Sequence, residues 1–139
     1  MIATLHELIP ASIKAIPSLF WLNPDALFAC LTAQGIEFEV HQIVDGEWDL
    51  VSSSLSDDEI FELVHLEDAQ HRGECFLVPE ACTRHNLSEF KCHSSDLKRF
   101  IHDFDISCFF DGDTIIVCFE SRTLTIVHHE GVYVHVKIP

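Results

Sequence analysis

The last third of the chain, residues 106–138, is cut into short runs of alternating apolar and polar residues by Asp111-Gly112 and Glu130-Gly131. Alternation is the two-residue period of a strand, and an Asp-Gly pair supplies the left-handed backbone that a tight hairpin needs. The pattern predicts four strands, at 106–110, 114–119, 124–128 and 132–138, joined as an antiparallel meander. The run 114–119 sets Ile115, Val117 and Phe119 on one side and Ile116 and Cys118 on the other. A strand that is apolar on both sides belongs in a sheet covered on both faces. Helices are expected over one face, and a helix or another chain over the other.

Those helices must come from the first two-thirds. Asn23 is a good N-cap, Pro24 suits the first helical position, and Asp25 favours the positive end. Gly35 stands where a left-handed C-cap belongs, and Ala26, Leu27, Ala29, Cys30, Leu31 and Ala33 make the helix between apolar. A shorter helix over 4–16 is opened by Thr4 and Glu7 and bent or broken at Pro10. Ser56 and Glu59 form a second capping box, with a stripe of Ile60, Phe61, Leu63, Val64 and Leu66 running to about Asp68. Ser95 is expected to cap a last helix through Leu97, Phe100 and Ile101.

Three strands precede the meander. Residues 36–44 alternate, Asp45-Gly46 reads as a hairpin turn, and 47–51 returns as the partner strand, followed by a loop over 52–56. A short strand over 75–78 stops at Pro79, and 80–93 shows little periodicity. The expectation is one α+β domain over residues 1–139. Three to four helices, mainly in the first two-thirds, pack on an antiparallel sheet that ends in a four-strand meander.

Six cysteines and ten histidines invite a metal reading. Cys75, Cys82, His85, Cys92 and His93 fall in one segment and offer the sulfur and imidazole ligands that zinc prefers, though without a Cys-x-x-Cys knuckle. A two-residue turn at Glu130-Gly131 would put His128, Tyr133 and His135 on one face, where the His128/His135 pair could bind a metal or act as a base. A three-residue turn with a bulge would separate them. The alternative for both groups is buried reduced thiols and surface imidazoles, the common state of a cytosolic chain. No nucleophile elbow, phosphate loop or His-Glu-x-x-His helix is present, so no catalytic residue is assigned and no cofactor is expected.

The remaining signal is charge. With 23 acidic against 8 basic residues the net charge is −15, yet 47% of positions are hydrophobic, which separates the chain from a disordered acidic tail. Such a field repels nucleic acid and anionic lipid and steers basic proteins inward. The carboxylates come in patches: Asp45, Glu47 and Asp49; then Asp57, Asp58, Glu59 and Glu62; and, as second choice, Asp111 and Asp113. Trp48 is either an aromatic anchor for a partner or a core ring. Residues 1–10 lack the pattern of a signal peptide and no apolar run spans a bilayer, so a cytoplasmic location is expected.

The stretches Phe109-Phe110-Asp111-Gly112-Asp113-Thr114-Ile115-Ile116-Val117 and Ile126-Val127-His128-His129-Glu130-Gly131 close a short, acidic α+β chain. In size, charge and this C-terminal third it resembles the immunity proteins of bacterial contact-dependent and polymorphic toxin systems. Phage-encoded inhibitors of host defence nucleases share the look. The resemblance implies a non-enzymatic protein that binds and neutralises a basic cognate toxin such as a nuclease, and it assigns no individual residue. The reading from another class is a metal- or small-ligand-binding domain, or an enzyme subunit, using the segment 75–93 or the His128/His135 pair. A homodimer formed through Phe-rich surface is a third.

Overall fold

A computed structural model describes residues 24–67, 71–80, 90–103, 109, 112–118 and 120–137. The expected helix over 4–16, Asn23, Cys82, His85 and Asp111 lie outside them, as does most of the expected strand 106–110. The architecture is α+β. Six antiparallel strands lie in the order β1-β6-β5-β4-β2-β3: β1 His41–Gln42, β2 Glu74–Pro79, β3 Phe90–His93, β4 Thr114–Cys118, β5 Thr123–His128 and β6 Val132–Lys137. Helices α1 Pro24–Ala33, α2 Trp48–Val51, α3 Asp57–Leu63 and α4 Leu97–Asp103 all precede the meander β4-β5-β6.

Every residue of β4 is buried, as its two-sided apolar pattern demands. One face of the sheet sets Phe76, Ile115, Val117, Leu124, Ile126, Val134 and Val136 against Leu27 and Leu31 of α1 and Ile36 beyond it. The second cover of the sheet thus includes a helix. The other face sets Leu77, Ile116 and Val127 against Ile60 and Phe61 of α3, Val64 and Leu66 after it, and Leu97 and Ile101 of α4.

The ends of α1 and α3 are made by one device. At Gly35 (φ 73°) the Gly35 N–H reaches the Thr32 carbonyl and the Ile36 N–H reaches Leu31, the two bonds of a Schellman cap, with Leu31 and Ile36 sharing the core. After α3 the same pair of bonds runs from His65 to Glu62 and from Leu66 to Phe61, with His65 itself left-handed (φ 56°). The helix therefore stops at Leu63 rather than near Asp68, because burying Leu66 beside Phe61 ends it without a glycine. The Ser56/Glu59 capping box is present.

Two further expectations are corrected. Residues 47–51 do not return as a strand. Among the described non-glycine residues only His65 and Arg122 have positive φ, so Asp45 lacks the left-handed backbone of a type I′ turn. Instead α2 and a 3₁₀ turn, Ser52–Ser54, follow, and strand pairing in 36–44 is confined to His41–Gln42. Ser95 is not the cap of the last helical segment: His93 is, its Nδ1 accepting from the Ser95 N–H before the 3₁₀ turn Ser94–Asp96 leads into α4. Of the expected four-strand meander, β4, β5 and β6 lie among the described residues, with β4 between β5 and β2, and most of the strand 106–110 lies outside them. The β5–β6 connection takes the longer of its two expected forms: His129, Glu130 and Gly131 make a three-residue loop, closed by Gly131 N–H on the His128 carbonyl, so that His128 pairs with Val132.

Candidate functional site

The sheet has two chemically different ends. At the end formed by the β5–β6 loop, His129 donates both its backbone N–H and its Nδ1–H to Asp113 Oδ1, at 2.7 and 2.8 Å. This hydrogen bond raises the His129 pKa, and burial opposes it. Asp113 and Glu80 are joined by the Glu80 N–H on the Asp113 carbonyl and the Asp113 N–H on Glu80 Oε2. The buried His128 accepts the Glu130 N–H on Nδ1, so its Nε2 carries the proton that reaches Asp25 Oδ1 at 3.2 Å. Asp113, His128 and His129 approach closely enough to hold an ion, but these bonds already commit Asp113 Oδ1 and both His128 nitrogens.

Helix α2 is fastened to this same end. Trp48 Nε1 donates to the His129 carbonyl at 2.9 Å. The ring lies so close over Gly131 that a Cβ there would stand 2.4 Å from it. Trp48 is half-buried, a fastening between two elements. Its neighbour Leu50 is 73% exposed. Asp45, Glu47 and Asp49 precede Leu50 in sequence, all exposed, and their side chains make no ion pair or hydrogen bond among the described residues. The fold thus gathers the Asp45–Asp49 patch and Asp113, far apart in sequence, at one end.

It places the other acidic patch elsewhere and partly offsets it. Asp58 pairs with His102 at 2.7 Å, which raises the His102 pKa, and Glu62 shares Lys98 with Glu67 at 3.5 and 3.6 Å. Glu59 is spent on the Ser56 cap. Lys91 pairs with Glu74 and Arg99 with Asp103. The cations without such partners among the described residues, Arg72, Arg122 and Lys137, line a cleft of about 430 Å³ at the opposite end of the sheet, by the β4–β5 turn.

Beneath that opposite end lies a buried sulfur and imidazole group. Cys75 on β2 stands opposite Cys118 on β4 and opposite Cys92 on β3, so three free thiols form a row across adjacent strands. His71, buried before β2, has ligand atoms within 4.8 Å of both Cys75 and Cys118. The hydrogen bond shared by these two thiols raises the Cys75 pKa and lowers that of Cys118; burial adds to the first and opposes the second. Burial also pushes Cys92 up to about 11. Of the earlier metal candidates, Cys75 and Cys92 are brought together, while the exposed His93 is engaged as a cap.

The three-residue loop puts His128 on the α1 face and Tyr133 and His135 on the other, which dissolves the His128/His135 pair. His135 joins the His71 group instead. Its Nε2 donates to the Val64 carbonyl at 2.7 Å and its Nδ1 bonds Thr125 Oγ1 at 2.7 Å. Thr125 in turn meets His71 Nε2 at 2.8 Å, and Thr123 meets His71 Nδ1 at 2.7 Å. His71, Thr123 and Thr125 carried no sequence signal, because only strand register brings them beside Cys118.

No helix among the described residues is long and apolar enough to cross a membrane. Comparison with protein-family models, with curated proteins and with solved structures finds no match.

Proposed function

We propose that this protein is a non-catalytic cytoplasmic binding protein that docks a basic protein partner on the acidic end of its sheet. The observation that carries the reading is Leu50, exposed on a helix turn that Trp48 fastens to the β5–β6 loop, next to Asp45, Glu47 and Asp49, whose carboxylates have no partner among the described residues. An apolar centre with a charged rim is the anatomy of a protein interface. Leaving a leucine in water forgoes roughly 1.5–3 kcal/mol, which burial by a partner would recover. Glu80 and Glu130 extend the negative field around it, whereas Asp113 is buried and bonded to His129, and a field of one sign speeds association with a partner of the other. An immunity protein that blocks the phosphate-binding cleft of a toxin nuclease fits this chemistry, and the resemblance in size and charge points the same way.

The test is affinity capture from the native cells at low salt with three baits. They are the wild type, an Asp45→Lys/Glu47→Lys/Asp49→Lys variant, and a control reversed at Asp57, Asp58 and Glu62. The reading expects a basic partner held by the wild type and the control, released by salt, and lost from the first variant at unchanged melting temperature. Equal capture by all three baits would refute it.

A further inference from the structure

We propose that His71, Cys75 and Cys118 form a binding site for a thiolate-preferring divalent ion, Zn²⁺, at the end of the sheet opposite the acidic surface. The three residues come from separate segments and all are buried, with Cys75 and Cys118 fully so. Their ligand atoms lie within 4.8 Å of one another. Tetrahedral zinc, with bonds of ~2.3 Å to sulfur and ~2.0 Å to nitrogen, needs these atoms about 3.5–3.8 Å apart. Rotamer adjustment of the side chains covers the difference. Sulfur and imidazole are the donors zinc selects over magnesium or calcium.

The surrounding hydrogen bonds prepare the imidazole. A carbonyl only accepts, so His135 bears its proton on Nε2, toward Val64. Its bare Nδ1 then accepts the Thr125 hydroxyl, and the Thr125 oxygen accepts the His71 Nε2–H. His71 Nδ1 is left with the lone pair, facing Thr123, whose hydroxyl is the group an ion would displace. A metal-bound histidine characteristically donates its other N–H to such an outer partner, and here that partner is held through two further residues to the backbone of Val64. Binding releases the thiol protons of Cys75 and Cys118, whose sulfurs become the anionic ligands. His71 also lines a cleft of about 410 Å³ with Leu66, Ser94, Ser95 and Lys98, which gives an ion a path from solvent. Three protein ligands leave one tetrahedral position for water or another small ligand.

The experiment is titration of the reduced full chain with Co²⁺ as an optical probe, then displacement by Zn²⁺ with elemental analysis. Saturation at one ion per chain is expected, with the visible bands of tetrahedral cobalt and a thiolate-to-cobalt charge-transfer band. Cys118→Ser is expected to diminish that band. Thr125→Val, which keeps all three ligands, is expected to weaken affinity about 10–100-fold. Circular dichroism checks that each variant is folded. A wild-type spectrum without thiolate charge transfer would overturn the proposal, and this outcome does not depend on any variant folding. So would a charge-transfer band unchanged in a folded Cys75→Ser/Cys118→Ser variant. Partner capture at the acidic end is read separately and does not bear on either result.

Discussion

At the residue scale, two glycines with the same backbone handedness separate conformational strain from close packing. Gly35 and Gly131 both have positive φ, but Gly35 has open space where a Cβ would stand and Gly131 has the Trp48 ring. Gly35→Ala is expected to cost roughly 1–2 kcal/mol, the penalty of a left-handed alanine. Gly131→Ala should cost more, since it adds the displacement of Trp48 and with it α2. Denaturant midpoints of the two variants check this, and equal losses would mean that Trp48 yields freely. His135 makes a residue-scale prediction in pH. Burial lowers its pKa, so below about pH 6.5 the unfolded chain takes up a proton that the folded chain refuses. Stability is therefore lost as pH falls from there toward the depressed value. His129 has the opposite sign: its pairing with Asp113 stabilises at low pH and fades as pH rises through its raised pKa. Replacing His135 with Gln should flatten the decline in melting temperature between about pH 7 and 5. An unchanged slope would assign the decline to other groups.

At the element scale, legibility in the sequence followed whether the deciding interaction was local. The Ser56/Glu59 capping box and the Gly35 cap depend on residues three to five apart, and both were readable. Ser56→Ala should cost about 1 kcal/mol in denaturant unfolding, because the Ser56 hydroxyl satisfies an otherwise orphaned Glu59 N–H. A negligible loss would show that water replaces the cap at no cost. Where long-range packing decided, local signals misled. Asp45-Gly46 is a good hairpin turn on paper, yet α2 forms because Trp48 reaches the β5–β6 loop, with a hydrogen bond to a residue 81 positions away. His65 takes a left-handed cap with no glycine to announce it, because Leu66 must turn into the core beside Phe61. The β5–β6 loop was open between two readings. The longer one, with Gly131 as the left-handed closing residue, sends His128 and His135 to opposite faces. The thiol row across β3, β2 and β4 was out of reach, since Cys75 and Cys118 become neighbours only through strand order.

At the scale of the whole molecule, the antiparallel sheet sorts charge between its ends. Arg72, Arg122 and Lys137 outnumber Glu120 by the β4–β5 turn, whereas Asp45, Glu47, Asp49 and Asp113 gather about the β5–β6 loop. The remaining described cations pair with carboxylates of α3, α4 and β2. Among the described residues, the unpaired carboxylates of Asp45, Glu47 and Asp49 therefore stand at the end where Leu50 is exposed. A partner should be steered there and held there, and reversing a few charges at that end should slow association more than it speeds dissociation. The most direct test is the association rate constant of the captured partner with the wild type and with the Asp45→Lys/Glu47→Lys/Asp49→Lys variant, each measured over a range of ionic strength. The account predicts a rate that falls steeply with salt for the wild type and a slower, much flatter dependence for the variant. Identical salt dependences for the two proteins would contradict it.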